Sequence, residues 1–475
     1  MTINRLLVAL LVLLGASAAV AEDEFHVFTN TKGQKIEAKI VAVSGGNVTI
    51  ERRDGRSFTV ASTMFVGTDQ EMIASWKPMP RSTAPGATSD VAVEVVNETL
   101  GHPIFADTHL WDDLPEDVAG RLNWRRESKT EFVSSFRDYP RADFRLLGTR
   151  PYSAALYGEN DGVTSMSLVF ANKGDSVSAL GAGDQLEALN ALIEADVATL
   201  SEKLTDLLGE GQKQRFGEGS SRQNVLRWNW NDHAFLIFEQ ENEYVSLEIQ
   251  PKAFADAGGQ SERVKDLDIR KLARSNVERR ENGDVIVTNL PMVDQGPKGY
   301  CVPATFERCM RYLGIPADMY LLAMAGETAM GGGTSGNALM DAVGSDIRRK
   351  GRGFDTFRMD EMEFRKLAKY LDEGIPVMWG MYSTEPFNQL ANDTTKRRQT
   401  VQDWDAYAER LATEMEGREL AKDRDRAHIT LIIGYNEETN EIAFSDSWGE
   451  RYTERWVPAE DAADISQGAF YVVTF

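Results

Sequence analysis

Between residues 25 and 76, apolar and polar positions alternate with a period of two. The runs KIEAKIVAV, VTIERR and SFTVA are separated by SGGN and DGR. Gly45, Gly46 and the pair Asp54-Gly55 are the turn residues such hairpins need. The pattern predicts a small antiparallel barrel. Farther along, YSAALYG and VTSMSLVFAN flank residues 159–162 as a hairpin. Leu186, Leu189, Leu192, Ile193, Val197, Leu200, Leu204 and Leu207 then mark one stripe of a long amphipathic helix. RQNVLRWNW, HAFLIFEQ and EYVSLEIQ follow as a meander cut by the polar pairs Asn231-Asp232 and Glu241-Asn242. Residues 95–252 therefore predict an α+β domain whose sheet leaves one face to water.

In the final region, residues 285–475, Val302, Phe306, Cys309, Met310 and Leu313 fall on one helix face. EMEFRKLAKYLDE reads as a helix closed by Gly374, and IPVMWGMY as a buried strand. HITLIIGY, EIAFSDSWG and AFYVVTF complete a strand-rich end. A helical half thus precedes an antiparallel sheet half, and the fold class expected for the whole chain is α+β.

The ends and joints of these regions have their own signals. MTINRLLVALLVLLGASAAVAEDEF carries Arg5, a long apolar run, and small residues at Ala19 and Ala21, which reads as a secretory signal cleaved near Ala21. An exported protein is expected, with no membrane association beyond that segment. Residues 77–94, containing KPMPRSTAPGATSD, are a Pro/Ser/Gly-rich linker. Residues 253–284 read as a charged linker into the last region. Of the 475 residues, about 450 remain after the signal, enough for two to four domains on a prior of about 100–200 residues each. The net charge of −22 argues against nucleic acid and anionic membrane surfaces as partners.

The chain has two cysteines, Cys301 and Cys309, both in DQGPKGYCVPATFERCMRYLG. Eight helical positions separate their Cα atoms by roughly 12 Å, and a disulfide tolerates no more than about 7 Å. The two thiols need separate explanations. Cys309 lies within the apolar stripe and is expected to pack. Cys301 points away from that stripe, at a helix start where unpaired N–H groups and the macrodipole favour a thiolate; Pro303 is tolerated in the first turn. Such a nucleophile needs a base and a group to orient it. Of five histidines only His428 lies in the last region, 127 residues after Cys301, and Asp446 follows eighteen residues later in SDSWG. Gln295, six positions before Cys301, is placed to supply an oxyanion-hole amide beside the Cys301 backbone N–H.

These residues resemble the papain-fold cysteine peptidases, nearest the bacteriocin-processing, double-glycine-leader group. QGPKGYC matches the Gln-x5-Cys element, HITLIIGY the His strand, and FSDSWG the Asn/Asp-Ser-Trp-Gly element. The resemblance spans roughly residues 285–475. It implies Cys301 as nucleophile, His428 as general base, Asp446 as its orienter and Gln295 as oxyanion donor, with Trp448 shielding the His–Asp hydrogen bond. Tyr300 and Val302 replace the papain CGSCW surroundings, so papain subsite preferences do not carry over. The glycine loop GGGTSGN, with Gly332 and Gly333, is a candidate for substrate approach; a flexible connector is the alternative. It lacks the Lys of a phosphate-binding loop, and no HExxH or paired-Cys pattern occurs, so no metal or cofactor is expected. The barrel resembles the SH3-like homology module of endocytic adaptor proteins, which implies a structural or docking role.

The function expected is a thiol hydrolase cleaving peptide bonds. An acyltransferase of transglutaminase type using the same triad, and a non-catalytic scaffold, remain alternatives.

Overall fold

The computed structural model describes residues 26–475 except 32–34, 45–46, 53–56, 76–90, 132, 160–161, 177–184, 219–221, 261–265 and 330–332. The expected signal, the turn glycines Gly45, Gly46 and Gly55, and residues 77–90 of the 77–94 linker lie outside the described residues; the linker's last two residues, Val93 and Glu94, instead open helix Val93–Leu100. The chain divides into two compact units, residues 1–85 and 86–475. Among the described residues no helix is long and apolar enough to cross a membrane.

In the first unit, strands His26–Thr29, Lys35–Ser44, Asn47–Arg52 and Ser57–Ala61 pair antiparallel in chain order. Phe28, Ala38, Val48, Ile50 and Phe65 form its core, completed by Ile73 of the helix Gly67–Ser75. The expected barrel is not seen. The first strand is four residues long, and it meets the segment after the fourth strand through the bridge Asn30–Phe65 with its flanking hydrogen bonds and through Asp69, which accepts the Thr29 N–H. Among the described residues no strand-to-strand ladder closes the sheet. The meander curls, and its sheet stays open.

The second unit begins with an eight-stranded antiparallel sheet spanning Arg125–Lys129 to Tyr244–Pro251. Helix Gln185–Leu208 lays Leu189, Ile193, Leu200 and Leu204 on one face. Leu186 and Leu192 of the expected stripe are exposed: Leu186 lies in the helix's first turn, and Leu192 is rotated to the stripe's margin. The prediction of a half-exposed sheet fails more instructively. Side chains alternate between the two faces: Phe136, Ala154 and Leu156 point to the helix-covered face, toward helix Pro115–Leu122, while Ser135, Arg137, Ser153 and Tyr157 point the other way and are also largely buried. Residues of the last region cover that second face. Val169 shares a core cluster with Val293, Tyr300, Ala304, Met319, Tyr320 and Ala323. Leu321 and Met324 pack against a second cluster that includes Leu236 and Phe238.

The segment read as a linker, 253–284, contains helix Asp266–Ser275 and strand Val277–Arg279, which pairs with Val285–Val287 in the final sheet. Helices Cys301–Tyr312, Met319–Ala325 and Gly336–Arg349 come next. The six-stranded path of the sheet then places Val377–Tyr382 between Ala427–Asn436 and Ser466–Thr474. Glu441–Ser445 pairs with Ala427–Asn436 on its other side.

Candidate active site

Cys301 opens helix Cys301–Tyr312, with Pro303 in the first turn where its missing N–H costs nothing. Both thiols are free. Cys309, two turns on, is buried against Phe306, Met310 and the sheet, and burial pushes its thiol up to about 12. Cys301 is partly exposed. The helix lies across the strand carrying His428, and Thr305 donates its hydroxyl to the Ile429 carbonyl at 3.3 Å.

Antiparallel pairing of Leu431 with Ser445 brings the end of Glu441–Ser445 beside the start of Ala427–Asn436. Asp446, the next residue, therefore faces His428: Nε2 and the Asp446 Oδ1 are 3.1 Å apart. The same imidazole also hydrogen-bonds the Cys301 thiol. Burial opposes a charged Cys301, but the hydrogen bond and charge of His428 outweigh it, aided by the backbone amides of Ile429 and Val302, and hold the thiol below its usual range. Burial also opposes the imidazolium; the Asp446 and Cys301 hydrogen bonds overcome this and push His428 up to about 10. Both shifts run in the direction of a thiolate–imidazolium pair. Trp448 stacks on the imidazole, with centroids 4.9 Å apart and planes 30° apart, and so covers one face of the ring.

Two arginines that sequence reasoning missed hold this arrangement. Arg455 binds the second oxygen of Asp446 at 2.5 Å and is itself fixed by the Asn388 side chain and carbonyl at 3.1 and 3.0 Å. Asp446 is thus ionised in spite of burial, kept low by His428 and Arg455. Arg308, buried in the nucleophile helix, donates to the Pro291 and Ser445 carbonyls at 2.9 and 3.1 Å and to the Ser445 hydroxyl at 2.6 Å. It ties the helix to the Asp446 turn. The available signal was a charge at a core-phase position: Arg455 opens the buried strand Arg455–Pro458 opposite Phe444.

Gln295 lies in the loop that enters the helix. Its amide donates to the Lys298 carbonyl at 3.1 Å, and its backbone N–H donates to the Ser447 carbonyl at 2.9 Å. An amide nitrogen carries two protons, so one N–H remains for an incoming oxygen. Gly333 adjoins the same loop: its N–H donates to the Gly299 carbonyl at 3.0 Å, its φ is +98°, and a Cβ there would meet nothing. Gly332 lies outside the described residues. The structure therefore brings Cys301, His428, Asp446 and Trp448 together, with Gln295 on the loop beside them and Gly333 hydrogen-bonded to that loop. Among the described residues no group of three His, Cys, Asp or Glu side chains is placed to hold a metal.

Comparison with known proteins bears on this region. Residues 287–468 match the model of the Peptidase_C39 like family, so the C-terminal region is C39-peptidase-like. No curated protein matches the chain. Among solved structures, one match is the crystal structure of the peptidase domain of Streptococcus ComA, a bi-functional ABC transporter involved in a quorum-sensing pathway. It is 13% identical, covering 38% of this chain and 96% of that one, with a TM-score of 0.25, too low to equate the two folds.

Proposed function

We propose that the chain is an exported cysteine peptidase that hydrolyses peptide bonds through an acyl-enzyme on Cys301. One observation carries this reading: His428 stands between Asp446 and Cys301, and the thiol and imidazole shift in opposite directions. In that state the thiolate attacks the amide carbonyl and a C–S bond forms. The resulting oxyanion is met by the Gln295 amide and the Cys301 backbone N–H. His428 then gives its proton to the departing amine as the C–N bond breaks. Water attacks the thioester while His428 accepts its proton, which releases the acid and restores the thiolate. Asp446 keeps the imidazole in the orientation both transfers need, and Trp448 limits the water reaching it.

The leader read at residues 1–21 supports export, and the N-terminal unit, an open four-stranded meander, is read as a docking module. The test is incubation with unfolded casein, with Cys301→Ala as control. New peptide termini that depend on Cys301 are expected. If an added primary amine is incorporated and no new termini form, the enzyme is an acyltransferase. Absence of any Cys301-dependent change in the casein contradicts both forms of the proposal.

A further inference from the structure

The loop 292–300, which carries the oxyanion donor, is held mainly by residues of the eight-stranded sheet. The Ser128 hydroxyl accepts the Met292 N–H at 2.9 Å. Glu127 accepts the Asp294 N–H at 2.7 Å, and the Tyr139 hydroxyl donates to the Asp294 carbonyl at 2.5 Å. Asp294 immediately precedes Gln295, so both polar atoms of its backbone are spoken for by the middle domain. On the other side of Gln295, the φ of Gly296 is +67° and an added Cβ would lie 2.6 Å from the Tyr139 ring. A side chain there is excluded twice over, by conformation and by the tyrosine.

Lys298, whose carbonyl receives the Gln295 amide, is also held from the sheet side. Its ammonium is buried against Asp175 at 2.9 Å and lies 4.7 Å from the centroid of the Tyr139 ring. These supports are rigid in turn. Glu127 is buried, fixed by the Arg137 guanidinium at 2.6 Å and the Ser135 hydroxyl at 2.9 Å. Each buried charge has its opposite, so the arrangement does not leave an ion stranded.

By contrast, every hydrogen bond described above for Asp446 and Arg455 comes from the C-terminal region. The two arms of the site are therefore built separately, joined directly by the Gln295 N–H to Ser447 carbonyl bond.

We infer that Glu127, Ser128, Tyr139 and Asp175 are positioning residues for catalysis: they aim Gln295 at the developing oxyanion, and the middle domain is a structural part of the peptidase site. The inference rests on the acyl-enzyme reading of Cys301. It predicts that damage to these contacts slows formation of a tetrahedral intermediate and leaves the thiolate intact.

Two reagents separate those effects in the full chain. Iodoacetamide needs only the thiolate: the sulfur displaces iodide and no oxyanion forms. p-Nitrophenyl acetate needs the oxyanion site as well: the sulfur adds to the ester carbonyl, then p-nitrophenolate leaves and acetyl remains on Cys301. Gln295→Ala calibrates the response, with acylation expected to fall about 10²–10³-fold and alkylation to hold. Tyr139→Phe and Glu127→Gln should lower acylation by about tenfold or more, with alkylation changed by less than about twofold. Should Glu127→Gln fail to fold, Ser128→Ala removes a single hydrogen bond and serves in its place. A ratio of acylation to alkylation that falls in Gln295→Ala but stays at the wild-type value in the sheet variants overturns the inference. A ratio unmoved even in Gln295→Ala also overturns it, because Gln295 is then not the donor. Wild-type Cys301 that reacts with neither reagent sinks the acyl-enzyme reading itself.

Discussion

Asp446 and Gln295 serve the same thiol from different directions, yet only Asp446 is held by its own domain alone. Arg455, Asn388 and Arg308 brace the imidazole side from the C-terminal sheet and helices. The oxyanion side leans on Glu127, Ser128 and Tyr139, all more than 150 residues earlier in the chain. The difference separates two requirements of thiol catalysis. Forming a thiolate takes a short-range electrostatic pair, which neighbouring strands supply. Aiming an amide at an oxygen that appears only in the transition state takes a loop held rigid, and here a second domain supplies the rigidity.

The comparison is broken most severely at the pair itself. His428→Ala should reduce peptide hydrolysis by about 10⁴-fold or more and return Cys301 to ordinary thiol behaviour, measurable by turnover and alkylation. Gln295→Ala should cost less and affect only steps that pass through an oxyanion, as quantified above. Arg455→Met, on the imidazole side, leaves Asp446 with one partner; a loss of about 3 kcal/mol in denaturant unfolding is expected from the uncompensated buried charge. Cys309→Ala should cost about 1–2 kcal/mol through lost packing and leave Cys301 labelling unchanged.

The pH dependence follows from the two shifts. His428 is raised in the folded state, so its contribution to stability is complete below its unfolded value of about 6.5 and disappears as pH rises through about 10. Cys301 is lowered, so its contribution is present above the unfolded thiol value of about 8.5 and is lost as pH falls through its depressed folded value. Hydrolysis, which needs thiolate and imidazolium together, should fall off on the alkaline side near about 10 and on the acid side below the ordinary thiol range. A rate profile with one rise near about pH 8.5 contradicts this assignment.

Much of the imidazole side was legible because its rules are local. A cysteine off the apolar stripe at a helix start, a histidine at the head of a strand, and an aspartate one residue past its neighbour are short-range patterns. The oxyanion side was not legible in the same way. Ser135, Arg137 and Tyr157 alternate with apolar residues, and such alternation reads as a solvent face; here it is a polar interior face against another domain. The alternation signal contains no information about what covers the polar side. HAFLIFEQ was the exception, since a near-continuous apolar strand implies burial on both faces. Arg455 was hidden for a related reason: its phase in a buried strand was readable, but its partner Asp446 depends on a register set by the preceding hairpin. The open meander at the N-terminus shows the limit of turn signals, which specify hairpins and leave closure to strand length.

The central claim is that Cys301 is a thiolate held by His428, and it is tested most directly by alkylating the folded, reduced full chain across a pH series and locating the label. The account predicts modification of Cys301 at pH values below the ordinary thiol range, lost in His428→Ala, with Cys309 unmodified until the protein unfolds. Labelling of Cys301 that begins only near about pH 8.5, or that is the same with and without His428, contradicts it.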